Sequence, residues 1–236
     1  MSEPAHDVTH HHSDVSGGWL RAAVFGAMDG LVTTIGIVAG VGGGGADRHL
    51  IILTGMAGVV AGAFSMALGE FASVGAQNEA VGREVRVERD EIRRHPEAEK
   101  AELAQAYRDM GLSAKTARTV AEEVHAKPDL AVRVHITQEL GLDPDDQPSP
   151  WTAAVSSFLC FAVGGLLPLL PFLLGSASLA MGLTVGAVGL FVLGAVTSRF
   201  TTRPWWFAGL RQLSFGAIAA AATYVVGALI GVSAAG

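Results

Sequence analysis

The 236-residue sequence is poor in charge, in cysteine and in aromatic side chains. Asp, Glu, Lys and Arg make up only 16% of it, whereas a soluble domain carries nearer a quarter. A single cysteine, Cys160, excludes an intramolecular disulfide framework. The net charge of −6 excludes a strongly basic nucleic-acid binder, and a hydrophobic fraction of 50% excludes a disordered chain. No phosphate-cradling glycine loop and no nucleophile–base motif is visible. ATP-driven pumping therefore has no support, and the chain is expected not to be an enzyme. Residues 1–18 hold acids and histidines but no apolar h-region, which excludes a secretory signal peptide. They are expected to form a disordered cytoplasmic tail, in which His10, His11 and His12 are either solvated or metal-binding.

The charge that is present is unevenly placed. Residues 77–150 hold 27 of the 38 charged residues, including 11 of the 16 Lys and Arg. The two flanking regions are strongly apolar. An apolar run of about 18 residues or more is a span candidate, because roughly 20 helical residues cross the hydrocarbon core. Five such runs are present, at about 20–41, 51–76, 151–174, 179–198 and 208–232. Spans are helical because lipid leaves no partner for open backbone groups. The expected fold is all-α: a five-span helical membrane protein with a helical cytoplasmic insert between spans two and three. Spans one and two are assigned to 19–76, the insert with its linker to 77–150, and spans three to five to 151–236.

Orientation follows from the basic residues. One side of a five-span chain receives Arg21, the 11 basic residues of the insert, Arg199, Arg203 and Arg211, while the other receives Arg48 alone. The positive-inside rule then places the N-terminus and insert in the cytoplasm and the C-terminus on the far side. Trp19, Trp151, Trp205 and Trp206 fall at the cytoplasmic span ends, as an aromatic belt would.

Small residues recur four apart at Gly26/Gly30, Gly36/Gly40, Gly58/Gly62 and Gly182/Gly186. Such spacing permits close helix approach in lipid, and two registers on span one mark it as a central or dimer-forming helix. In span three, Pro168 and Pro171 remove two backbone donors and are expected to kink or interrupt it.

Two acidic residues fall inside apolar runs, Asp29 near the middle of span one and Glu70 in the cytoplasmic part of span two. An intramembrane carboxylate costs several kcal/mol and usually faces a polar cavity or a partner. No Lys or Arg sits well inside a span, so each acid is expected to be protonated, hydrated or bound to a cation. An ion or proton path is the leading reading, against a structural hydrogen bond. Met66 lies four residues before Glu70 on the same helix face. A thioether beside carboxylates suits a transition-metal dication better than Mg²⁺ or Ca²⁺; ordinary packing is the alternative.

In the insert, Glu84, Glu88, Glu91 and His95 form one helical stripe, and Pro96 marks a break. Glu97, Glu99 and Glu102 open the next helix. Glu122, Glu123 and His125 lie on a third, and His135 and Glu139 share a face of a fourth that ends before Gly141. Residues 144–150 read as a linker. Such carboxylates repel unless a cation lies between them. Metal ions would serve, and so would Arg83, Arg86, Arg89, Arg93 and Arg94 in a solvated, salt-bridged helix. Glu122-x-x-His125 supplies one half of a di-iron carboxylate signature, which needs two such motifs. A membrane oxidase is therefore disfavoured.

Together these residues resemble the vacuolar iron transporter family, as a bacterial, iron/manganese-transporter-like member, from about Trp19 to the end. Gly26-Ala27-Met28-Asp29-Gly30-Leu31 is similar to the family's first-span Asp-Gly motif, and Ser65–Phe71 to its second-span motif. Glu88-x-x-Glu91, Pro96, Glu99-x-x-Glu102 and Glu139-Leu140-Gly141-Leu142 match its cytoplasmic metal-binding domain, and Gly164–Pro171 its third-span segment. The resemblance implies a proton-coupled exporter of Fe²⁺ and similar dications, Mn²⁺ or Zn²⁺ included, with no tightly bound cofactor and no nucleic-acid partner. It also implies a homodimer in the lipid bilayer whose ion path runs between subunits near spans one and two. Asp29 and Met66 would contact the ion, Glu70 would assist at the cytoplasmic mouth, and Glu88, Glu91, Glu99, Glu102 and Glu139 would hold metal. One departure stands out. Where the family's metal domain offers a methionine four residues before the last Glu, this chain has His135, whose imidazole also suits such dications. The small size and the absence of a transit peptide fit a bacterial plasma membrane. The rival reading is a membrane-anchored metal buffer or sensor that does not transport.

Overall fold

The computed structural model describes residues 18–141, 143–145, 147–200 and 202–234. The His10–His12 segment, with nearly all of the expected 1–18 tail, lies outside the described residues, as does Leu142. The regular structure of the described residues is helical: α1 Gly18–Gly43, α2 Arg48–Arg94, α3 Pro96–Asp109, α4 Ala114–His125, α5 Pro128–Leu140, α6 Pro150–Leu166, α7 Leu170–Leu173, α8 Leu179–Thr197 and α9 Trp205–Ala234. The all-α fold therefore holds. Five helices are long and apolar enough to cross a membrane, namely α1, α2, α6 with its continuation to Leu173, α8 and α9.

The chain divides into two compact units. One takes the described residues up to Phe71 together with those from Trp151 onward; the other is Ala72–Pro150. In the first, α1 packs against both α8 and α9, and α8 packs against α9. The small residues of α1 are what permit this. A Cβ at Gly26 would lie 2.7 Å from the Ser157 carbonyl oxygen on α6, and one at Gly40 would lie 3.2 Å from the Thr223 carbonyl on α9. Both glycine registers of α1 are thus used within the chain, so α1 is a central helix. Val38, Ile51, Val59, Leu169 and Phe172 form a buried cluster between α1, α2 and the third span.

That third span is interrupted where its prolines lie. α6 stops at Leu166, a 3-10 turn covers Leu167–Leu169, and α7 resumes at Leu170. The proline rings and missing N–H groups break the i→i−4 ladder there. Gly175 follows with φ +106, a value that only glycine adopts cheaply, and Ser178 caps α8 by accepting from the Met181 N–H at 3.4 Å.

Local signals set the insert helices. Pro96 and Pro128 stand in the first turns of α3 and α5, where a missing N–H costs nothing. Ser113 caps α4 through the Thr116 N–H at 3.2 Å, and Gly141 ends α5 in the left-handed region at φ +65. Leu103, Ala121, Val124 and Ala131 form the buried core of this unit. The apolar stretch expected as span two and the first helical stripe of the insert lie on one helix: α2 runs unbroken for 47 residues to Arg94. Nothing between Ala76 and Arg94 breaks a helix; Pro96 is the first residue that does.

Candidate metal centre and ion path

In the Ala72–Pro150 unit, three helices bring four of the expected ligands together. Glu88 lies near the end of α2, Glu99 in the first turn of α3, and His135 and Glu139 one turn apart on α5. His135 is 1% exposed, and its Nδ1 lies 3.1 Å from Glu88 Oε1, 3.4 Å from Glu139 Oε1 and 3.7 Å from Glu99 Oε2. Glu88, His135 and Glu139 each offer a donor atom within 4.8 Å of the other two. Glu88 Oε1 is buried and accepts no hydrogen bond, although it is in van der Waals contact with the ring nitrogen. An orphaned buried oxygen is expensive unless something cationic satisfies it.

The electrostatics point the same way. Burial pushes the Glu88 carboxyl up to about 7, and the neighbouring Glu139, Glu99 and Glu102 add to the rise, while His135 opposes it. Glu99 is raised for the same reasons, burial first. His125, on α4, is lowered by burial and then by His135 and Lys100. Glu102 is thus within electrostatic reach of the cluster. Glu91 stands at its edge, 3.8 Å from His95, and acts on Glu99.

The basic residues of these helices pair away from the cluster. Arg93 and Arg94 pair with Asp90, Arg89 with Asp129, Arg83 with Glu84 and Lys100 with Glu97. These pairs are largely solvent-facing and contribute little. Among the described residues, no Lys or Arg pairs with Glu88, Glu99 or Glu139. Mixed carboxylate and imidazole donors without an internal counter-charge fit a borderline dication such as Fe²⁺, Mn²⁺, Zn²⁺ or Co²⁺.

In the membrane unit, Asp29 is half-buried on α1 and accepts a hydrogen bond from Thr33 Oγ1 at 3.5 Å. No ion pair is found for it among the described residues. Met66 is half-buried on α2, one turn before the buried Glu70. The expectation that Glu70 lacks a basic partner is wrong. Arg21 Nη2 donates to Glu70 Oε2 at 2.9 Å. Arg21 stands one turn into α1, and its long flexible stem lets the guanidinium reach α2. Arg21 and Asp29 are eight residues apart, about 12 Å at 1.5 Å per residue.

Residues 20–228 match the model of the VIT family. The chain belongs to the VIT family. It is 31% identical over 221 residues to vacuolar iron transporter 1 of Oryza sativa subsp. japonica, covering 91% of this chain and 88% of that protein. It is 33% identical over 232 residues to the vacuolar iron transporter of Acanthamoeba castellanii, covering 96% and 84%. With the vacuolar iron transporter of Toxoplasma gondii it shares 30% identity over 237 residues, covering 95% and 78%. This VIT chain is therefore a membrane protein of a metal-ion transporter family.

Two residues of the VIT chain meet these sites without a motif to mark them. In the sequence Arg21 is only an orientation signal. His125 is only half of a di-iron motif, yet its Nε2 lies 3.1 Å from His135 Nε2, with the rings edge-to-face at 82°. A signal for it existed: Ala117 and Ala121 are buried on α4, and the next residue of that i, i+4 row is His125.

Proposed function

We propose that this chain is a proton-coupled transporter that exports Fe²⁺, and related dications such as Mn²⁺, from the cytosol. The insert and N-terminus are read as cytoplasmic and the C-terminus as lying on the far side, because the basic residues concentrate on one side of the five spans. The observation that carries the reading is Asp29, a carboxylate midway along an apolar helix with no cation partner among the described residues. Membership of the VIT family supports iron as cargo.

In this account the Glu88, Glu99, His135 and Glu139 cluster collects dications, with Glu91 and Glu102 adding negative potential. An ion at the mouth competes with Arg21 for Glu70, and Met66 offers a soft donor one turn away. Asp29 then holds either the dication or a proton. Because one carboxylate cannot hold both, alternating occupancy couples the two fluxes. The path is read as lying between two copies of the chain, since Asp29 and Met66 are only half-buried in one. The test is Fe²⁺ uptake into proteoliposomes with an acidic interior, with Mn²⁺, Zn²⁺ and Co²⁺ as competitors. Uptake that accelerates with the pH gradient is expected; uptake indifferent to it would refute proton coupling.

A further inference from the structure

We propose that His125 is the positioning residue of the insert's cation site: it accepts a hydrogen bond from His135 Nε2–H and so holds His135 with Nδ1 free to ligate. The inference rests on reading the Glu88, Glu99, His135 and Glu139 cluster as a dication site.

The two Nε2 atoms are 3.1 Å apart, a hydrogen-bond distance that requires one ring to supply the proton and the other a lone pair. His135 is 1% exposed, so water is not a ready substitute. The tautomer of His135 is thereby tied to that of His125. A cation on Nδ1 of His135 needs that nitrogen's lone pair, so the ligating ring carries its proton on Nε2. His125 Nε2 is then the acceptor, and His125 carries its own proton on Nδ1. Nδ1 of His135 faces the carboxylates, 3.4 Å from Glu139 Oε1, where a ligated cation would also lie.

The identity of the acceptor matters. Metal-bound histidines usually donate their second N–H to a carboxylate, a backbone carbonyl or water, and a carboxylate there raises ligand basicity. A neutral imidazole orients the ligand without adding negative charge, which suits a cation that must leave again. Short local geometry holds the pair in place: α4 ends at His125, and only Ala126 and Lys127 separate it from α5.

The test uses the full chain in detergent, with Co²⁺ titrated by its d–d absorption and Zn²⁺ used for ¹⁵N-histidine spectra. His125→Phe keeps the ring volume and removes the acceptor; it is expected to weaken Co²⁺ binding about 10- to 100-fold. His125→Gln restores an acceptor and is expected to recover most of that loss. In the unsubstituted Zn²⁺-loaded protein, His135 is expected to be protonated at Nε2 and metal-bound at Nδ1, a measurement that needs no variant. Unchanged affinity in His125→Phe, no recovery in His125→Gln, or a proton on His135 Nδ1 in the Zn²⁺ form would each overturn the role of His125. Glu88→Gln separates the two levels. If it leaves Co²⁺ binding intact, the cation site itself is wrong; if it weakens binding while His125→Phe does not, only His125 is misassigned.

Discussion

Arg21 Nη2 lies 2.9 Å from Glu70 Oε2, joining α1 to α2, with the Arg21 side chain 65% exposed and that of Glu70 only 10%. The pair is therefore asymmetric: a buried carboxylate satisfied by a cation tethered on a solvent-accessible stem. A dication reaching Glu70 would have to displace the guanidinium, and the exposed position of the Arg21 head leaves it free to move into water.

Arg21→Gln is expected to lower the KM for Fe²⁺ in proteoliposome uptake by roughly two- to fivefold, the range a weak ion pair supplies. Arg21→Lys is expected to stay near the original value. A KM that rises or does not move in Arg21→Gln would show that Arg21 does not compete with the ion.

Glu88 makes the insert pH-sensitive in two opposite senses. Its carboxyl is pushed from 4.5 to about 7 by burial and by its acidic neighbours. Between those values the metal-free fold keeps a proton that the unfolded chain has released, so stability falls as pH rises through that window. If Glu88 ligates a dication as proposed, affinity is expected to rise over the same interval, because the ionised carboxylate is the ligating form. Thermal unfolding in chelator at pH 5 and pH 7.5 checks the first statement: Glu88→Gln is expected to shrink the difference between the two. An undiminished difference would place the titration elsewhere.

The contact between α1 and α6 rests on backbone approach. A Cβ at Gly26 would sit 2.7 Å from the Ser157 carbonyl, which belongs to a helix backbone and cannot move aside cheaply. Gly26→Val is expected to cost about 1–3 kcal/mol by overpacking. Equilibrium unfolding in detergent measures it, and a neutral result would mean that the two helices separate without penalty.

Leu103 is 2% exposed in the insert's core beside Ala121, Val124 and Ala131. Leu103→Ala is expected to destabilise that unit by about 2–5 kcal/mol. Faster amide hydrogen exchange in α3 and α4 would report it. Exchange unchanged there would mean that these helices are held by something other than this core.

What could be read from the sequence was local. Pro96, Pro128 and Gly141 end or start helices through their own backbone chemistry, and Pro168 with Pro171 interrupts the third span for the same reason. Composition alone separated the apolar helices from the charged segment. Spacing placed Glu88, Glu99, His135 and Glu139 on helix faces among other acids and histidines, and the resemblance to the vacuolar iron transporter family marked the glutamates as ligands. The pairings that complete the sites were not legible, because they join distant positions. Arg21 meets Glu70 across 49 residues. His125 meets His135 only because the α4–α5 turn folds one helix onto the other. The arginines of α2 looked able to neutralise Glu88, but helical phase sends them to Asp90, Asp129 and Glu84 instead. Loss of hydrophobicity near residue 76 ends a span without ending a helix, so α2 continues to Arg94, just before the break expected at Pro96.

In the proposed mechanism Asp29 alternates between dication and proton. Its most direct test is initial-rate Fe²⁺ uptake by Asp29→Asn in proteoliposomes, with and without an acid-inside gradient. The amide is close to isosteric with the carboxylate but cannot take up and release a proton in this range. Gradient-driven Fe²⁺ flux is expected to collapse toward the protein-free background while the protein remains folded. Flux at the unsubstituted rate, still responsive to the gradient, would contradict it.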